Sequence, residues 1–252
     1  FYADWLWYKS VDYTSVWSTT LFTKVYLFIG FGLITSLFVL LNVYLAYKRR
    51  PVYVAMAVEN DNLERYRAQI EPLRKIAFLG VGAAVFYFAG TAGTSLWRSW
   101  LLFKNSTDFG VKDVQFNLDI SFFAFRLPFW QSLISWGFSA LILAILAAGA
   151  VHYLYGGLRP QMRQDRSTPF ARAQLSVLLG LVVLLKGVAY WFDRYALSLK
   201  ENKLITGLTY SDVNALLPAK AILAGIAVIC SLLFFANIFR TSWFLPASGT
   251  AL

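Results

Sequence analysis

Lys186, Tyr190 and Asp193 are the residues of this chain whose types and spacing come nearest to chemistry. Lys186 and Asp193 stand seven positions apart in an apolar run, so a helix puts them on nearly one face with Tyr190 between them. An ammonium, a phenol and a carboxylate in line inside a membrane could pass protons or ions. Intramembrane charge is a functional candidate by default, because a central Lys costs about 3 kcal/mol on insertion scales. The structural alternative is that Lys186 satisfies broken backbone or pairs with a neighbouring helix while Asp193 and Arg194 mark the outer interface. Other chemistry finds less material. His152 is the single histidine, so no Ser-His-Asp set can be argued. Asp108, Asp113 and Asp119 would make an acid–base pair only if something fixed their geometry. Cys230 is the one cysteine and reads as a small packing residue. No metal-ligand spacing and no phosphate-cradling loop occurs, so no catalytic residue, metal or cofactor is expected.

The elements that would position these residues are long apolar runs, at 21–47, 76–103, 131–156, 174–198 and 218–239. Each exceeds the ~20 residues that a helix needs to cross a bilayer core. Only 14% of residues are charged against 58% hydrophobic, and the mean hydropathy is +0.56. A soluble domain carries about a quarter charged residues. The expected fold class is all-α, a polytopic transmembrane bundle of five complete spans forming one domain over 1–252.

Every second gap is rich in Lys and Arg, which orients the spans. The gaps 48–75, 157–173 and 240–243 hold twelve Lys/Arg against five Asp/Glu and are expected to be cytoplasmic. Segments 1–20, 104–130 and 199–217 hold six against seven and are expected to be exoplasmic. Most of the net charge of +10 is thus inner-surface charge. Lys48, Arg49, Arg50, Arg159 and Arg163 are expected to meet anionic lipid there, with no nucleic acid as partner. An outward-to-inward first span implies a helix ahead of Phe1, and Phe244-Leu245-Pro246-Ala247 reads as the start of another. Asp61 to Ile70 suggests a short amphipathic helix on the inner surface.

The segment 120–130 carries four Phe and one Trp, more aromatic surface than a soluble loop exposes. Asp119, Phe122, Phe123, Phe125 and Arg126 are therefore the expected exoplasmic interface. Small residues recur every four positions at Ala89/Gly93, at Ala140/Ala144/Ala148 and at Ala221/Gly225, a pattern that lets helices approach closely in lipid.

Three stretches carry a family resemblance: DVQFNLDISFFAFRLPF from Asp113 to Phe129, LLGLVVLLKGVAYWFDRY from Leu178 to Tyr195, and GLTYSDVNALLP from Gly207 to Pro218. With Asp4-Trp5-Leu6-Trp7 and the run ending at Pro51, they resemble uncharacterised protein family 0182, very large membrane proteins chiefly of actinobacteria and also of cyanobacteria. Val114 departs from the proline expected after the aspartate. The resemblance implies about seven helices near the N-terminus of the whole protein, then a large exoplasmic region. It assigns no catalytic residue. The expected function is a non-enzymatic membrane module of an envelope protein in the bacterial plasma membrane, anchoring that region and assembling with itself or with other membrane proteins. A transporter or channel using Lys186, Tyr190 and Asp193 is the alternative, and a lipid-processing membrane enzyme is the second.

Overall fold

A computed structural model describes residues 2–51, 61–159, 167–200 and 207–238, with the backbone alone at 61–68 and 70. It contains seven α-helices among the described residues: α1 (Tyr2–Ser10), α2 (Thr14–Lys48), α3 (Asp61–Thr94), α4 (Trp97–Lys104), α5 (Leu127–Leu154), α6 (Pro169–Ala196) and α7 (Leu217–Ala236). The chain is an all-α helical bundle. Five of its helical stretches are long and apolar enough to cross a membrane, and in each only 22% to 39% of the most apolar window is buried. The remainder of those apolar surfaces faces outward, as a lipid solvent would require.

α2 lies at the centre, packing on α3 to one side and α5 to the other, and α6 joins α5 to α7. The shared core holds Val39 and Ala46 of α2, Leu141, Ala144 and Ala148 of α5, and Leu178 of α6. The alanine stripe of α5 is what brings these axes close. α2 and α3 meet through glycine: a Cβ on Gly93 would stand 2.6 Å from the Phe31 Cβ, and one on Gly32 would stand 2.8 Å from the Phe86 carbonyl oxygen. Hydroxyls bond across the seams, with Ser36 of α2 donating to the Gly82 carbonyl of α3 at 2.9 Å and Ser231 of α7 to the Gly180 carbonyl of α6 at 3.0 Å.

Several expected boundaries move. α2 begins at Thr14, seven residues before its apolar run, and its 35 residues extend about 50 Å, well past a ~30 Å hydrocarbon core. The helix expected as a separate surface piece from Asp61 is instead the first part of α3, which continues through Pro72. The run 76–103 is broken at Ser95-Leu96. There the Thr94 hydroxyl bonds the Gly90 carbonyl and the Ser95 hydroxyl bonds that of Ala92, competing with the backbone ladder. α6 starts at Pro169, capped by the Thr168 hydroxyl, which accepts from the Ala171 N–H. On α7 the expected stripe is on the wrong face. Nothing lies within 4 Å of a Cβ built on Gly225, and Ala224, Ala227 and Ser231 make the packed side. Arg163, Arg166, the gap 240–243 and the segment from Phe244 lie outside the described residues.

Candidate functional site

The ends of the bundle differ in material. At the basic end, where α2 finishes in Lys48, one carboxylate gathers three segments. Glu71 of α3 accepts from the Tyr47 hydroxyl of α2 at 2.9 Å and from the Tyr155 hydroxyl just past α5 at 2.9 Å. Arg74 and Arg50 pair with the same carboxylate at 3.0 and 3.4 Å. Arg74 also donates to the Tyr47 hydroxyl at 2.6 Å, and the Arg50 guanidinium lies 4.2 Å from the centre of the Tyr47 ring. Lys48 stacks over Tyr44, Arg49 over Phe170, and Arg159 donates to the Gly156 carbonyl.

Beside this hub α3 and α5 both pack on α2 and touch little between themselves. The gap between them is a cleft of about 620 Å³. Its walls are apolar side chains of all three helices, and Arg74, Lys75, Tyr47 and Tyr155 stand at the basic end of it.

Deeper in, a buried polar chain crosses three helices. The Gln174 amide of α6 donates to the Asn42 carbonyl and to its side-chain oxygen, at 2.9 and 3.1 Å. Its own oxygen lies 2.9 Å from Nε2 of His152 on α5. Because both Gln174 hydrogens are used on Asn42, that oxygen is an acceptor and Nε2 of His152 must carry the proton. His152, 2% exposed, is thereby a structural brace.

The aromatic end is joined by rings. Phe116 and Phe122 pack on Tyr195 at 4.9 and 5.3 Å, Trp130 on Phe192 at 5.9 Å, and Phe129 on Phe103 at 4.7 Å. The structure turns much of the expected aromatic interface inward. Phe123 is 5% exposed, and Phe122, Phe125 and Arg126 are half-buried. The carboxylates here hold backbone. Asp119 accepts from the N–H groups of Phe109, Gly110 and Ser121 at 2.8–3.0 Å, and Asp113 from those of Gln115 and Phe116. Bonds from Ser121, then from the Phe109 and Gly110 amides, hold the Asp119 carboxyl down at about 2. Asp108 meets the Ser121 hydroxyl and Arg126.

Of the three polar residues aligned in the apolar run of α6, two come together. The Lys186 ammonium sits 4.7 Å from the centre of the Tyr190 ring. Asp193 pairs instead with Lys220 of α7 at 3.1 Å, an ion pair between adjacent helices. Lys186 itself is exposed on the outward side of α6. Among the described residues no three His, Cys, Asp or Glu side chains gather as metal ligands would.

A family profile described as an uncharacterised protein family, UPF0182, matches residues 1–252. The chain belongs to the UPF0182 family. A UPF0182 protein of Streptomyces coelicolor is 50% identical over 257 residues, covering 100% of this chain and 26% of its own length. Relatives from a Nocardioides species and from Thermobifida fusca are 45% and 44% identical over 100% and 95% of this chain, and over 25% and 24% of their own lengths. The chain therefore spans about a quarter of the curated relatives it matches. No solved structure matches it.

Two of the stretches that carry the UPF0182 resemblance fold alike. Ser121 precedes Leu127-Pro128 at the same spacing as Ser211 precedes Leu217-Pro218, and each interval is a π-helical turn, Phe122–Arg126 and Asp212–Leu216. In both turns the leucine N–H reaches back five residues, to the carbonyls of Phe122 and Asp212. The proline that follows has no N–H and crowds the carbonyl four residues behind, and the wider turn relieves that crowding. Both leucines are buried, so each turn seats a new helix on the aromatic end. The second turn is held by Asp212, which accepts from the Thr209 N–H and hydroxyl and pairs with Lys200.

Proposed function

We propose that this chain is the membrane module of a larger bacterial envelope protein. It lies in the plasma membrane with its basic end in the cytoplasm, anchors an exoplasmic portion, and assembles through the outward side of α6. The observation that carries the reading is the exposed position of Lys186 at the middle of a span, with the Tyr190 ring as its neighbour, while the interior polar groups Ser36, Gln174 and Ser231 bond across helices. Lipid is a poor surrounding for an ammonium, at about 3 kcal/mol on insertion scales. A polar group on a neighbouring helix, from a second copy or another membrane protein, relieves that cost. The family match supports the anchoring part of the reading, since about three quarters of each relative lies outside the matched region.

The test is native mass measurement of the full-length protein taken from its membrane. The expected result is an assembly that Lys186→Leu reduces to smaller species and Lys186→Arg preserves, with both variants still membrane-inserted. A lone monomer in the unaltered protein, carrying no other protein, counts against the assembly half of the proposal.

A further inference from the structure

We propose that the cleft between α3 and α5 is a binding site for one anionic phospholipid, its phosphate at Arg74 and Lys75 and one acyl chain along the apolar walls. This rests on the membrane reading above and deepens it. The volume of about 620 Å³ is in the range of ~300–1,000 Å³ usual for small-molecule sites. Its polarity is graded as an amphiphile is graded. Phe78 and Val81 of α3, Val43 of α2, and Ala147 and Val151 of α5 make the deep walls, and the charged groups stand only at the basic end. From Arg74 to Val81 the α3 wall runs about 10 Å along the helix axis. Alanines on the facing walls, Ala77 and Ala147, keep the cleft wide enough for a chain to enter from the side.

The charge at the mouth suits a phosphate. Arg50, Arg74 and Lys75 stand against the single carboxylate of Glu71, an excess of two positive charges among the described side chains. Glu71 and the Tyr47 hydroxyl each take one bond from Arg74, and a guanidinium has five N–H donors, so Arg74 is oriented and still able to donate. Its side chain is 49% exposed. Basic pockets between spans on the cytoplasmic side are suited to anionic headgroups for this reason. An apolar helix seated in the same cleft would instead lay hydrocarbon against Arg74 and Lys75.

Full-length protein in detergent, titrated with phosphatidylglycerol and phosphatidylcholine and weighed by native mass spectrometry, tests this. One phosphatidylglycerol should be retained about five- to thirtyfold more tightly than phosphatidylcholine, the scale expected of one or two added cationic contacts at about 1 kcal/mol each. Lys75→Glu should erase the preference. Ala147→Trp, which fills the cleft without touching the charges, should release either lipid. Equal retention of the two lipids overturns the proposal, as does undiminished retention in Ala147→Trp. So does crosslinking of Ala150→Cys to a second copy or to another part of the chain. An alkaline wash separates the two readings. Protein that stays in the membrane yet shows no lipid preference sinks the cleft alone, and release of the protein sinks the membrane reading with it.

Discussion

At the basic end one carboxylate, Glu71, collects side chains from three segments, whereas at the aromatic end carboxylates bond mainly to backbone N–H groups and rings do the joining. The difference follows from what each end must hold. The basic end ties together helices that leave a cleft between them, so its contacts reach across a gap on long polar side chains. The aromatic end seats two Leu-Pro helix starts and an irregular loop whose N–H groups have no ladder, so its acids serve the backbone and its rings fill volume. Ring packing is area-dependent and insensitive to small shifts. A hub of hydrogen bonds is not. The aromatic end should therefore depend on bulk, and the basic half on complete pairing.

The largest expected effect is at the aromatic end. Phe123→Ala removes a side chain that is 5% exposed and packed on Phe116 and Phe122, and such truncations cost about 3–5 kcal/mol. The unfolding midpoint of the full-length protein in mild detergent should fall steeply, with Phe123→Leu falling far less. Next comes Gln174→Leu in the basic half, which strands the His152 Nε2–H and the Asn42 side-chain oxygen without changing volume much. Unsatisfied buried groups make this about 2 kcal/mol, below the ring deletion, because bonds between membrane helices are individually modest. A Gln174→Leu loss larger than that of Phe123→Ala would reverse the comparison and make the polar chain the main brace.

Features that hydropathy decides are legible in the sequence, and features whose partners lie far apart are less so. Five spans follow from apolar length, and the alanines of α5 pack as their spacing predicts, because both signals are local. Glu71 gave no signal: Tyr47, Glu71 and Tyr155 meet only after α2, α3 and α5 are assembled. Helical spacing aligns Asp193 with Lys186, but the cation that pairs with it belongs to α7, one loop away. The small-residue stripe on α7 failed because alanines and glycines crowd both faces of that helix, so spacing alone could not choose. The π-helical turns were legible in part. The repeated Ser and Leu-Pro spacing stands in the chain, and a proline directly after a buried leucine is the cue that the preceding turn must widen.

The smallest effect separates the two ends by pH. Asp119 holds its carboxylate through Ser121 and through the Phe109 and Gly110 amides, and its carboxyl lies at about 2, below the ordinary aspartate value of 3.8. A depressed folded value means that the stabilisation is fully present above about pH 4 and is lost as pH falls toward 2. From pH 5 to 8 the loop should not respond at all. Amide hydrogen exchange at Phe109, Gly110 and Ser121, corrected for the intrinsic pH dependence, should thus show constant protection down to pH 4 and a decline below it. Asp119→Asn should start less protected and stay flat across the same range. A decline that begins near pH 6, or none by pH 2, would mean that something other than this carboxylate clasps the loop. In that case the division between a side-chain hub at one end and backbone-serving acids at the other would not hold.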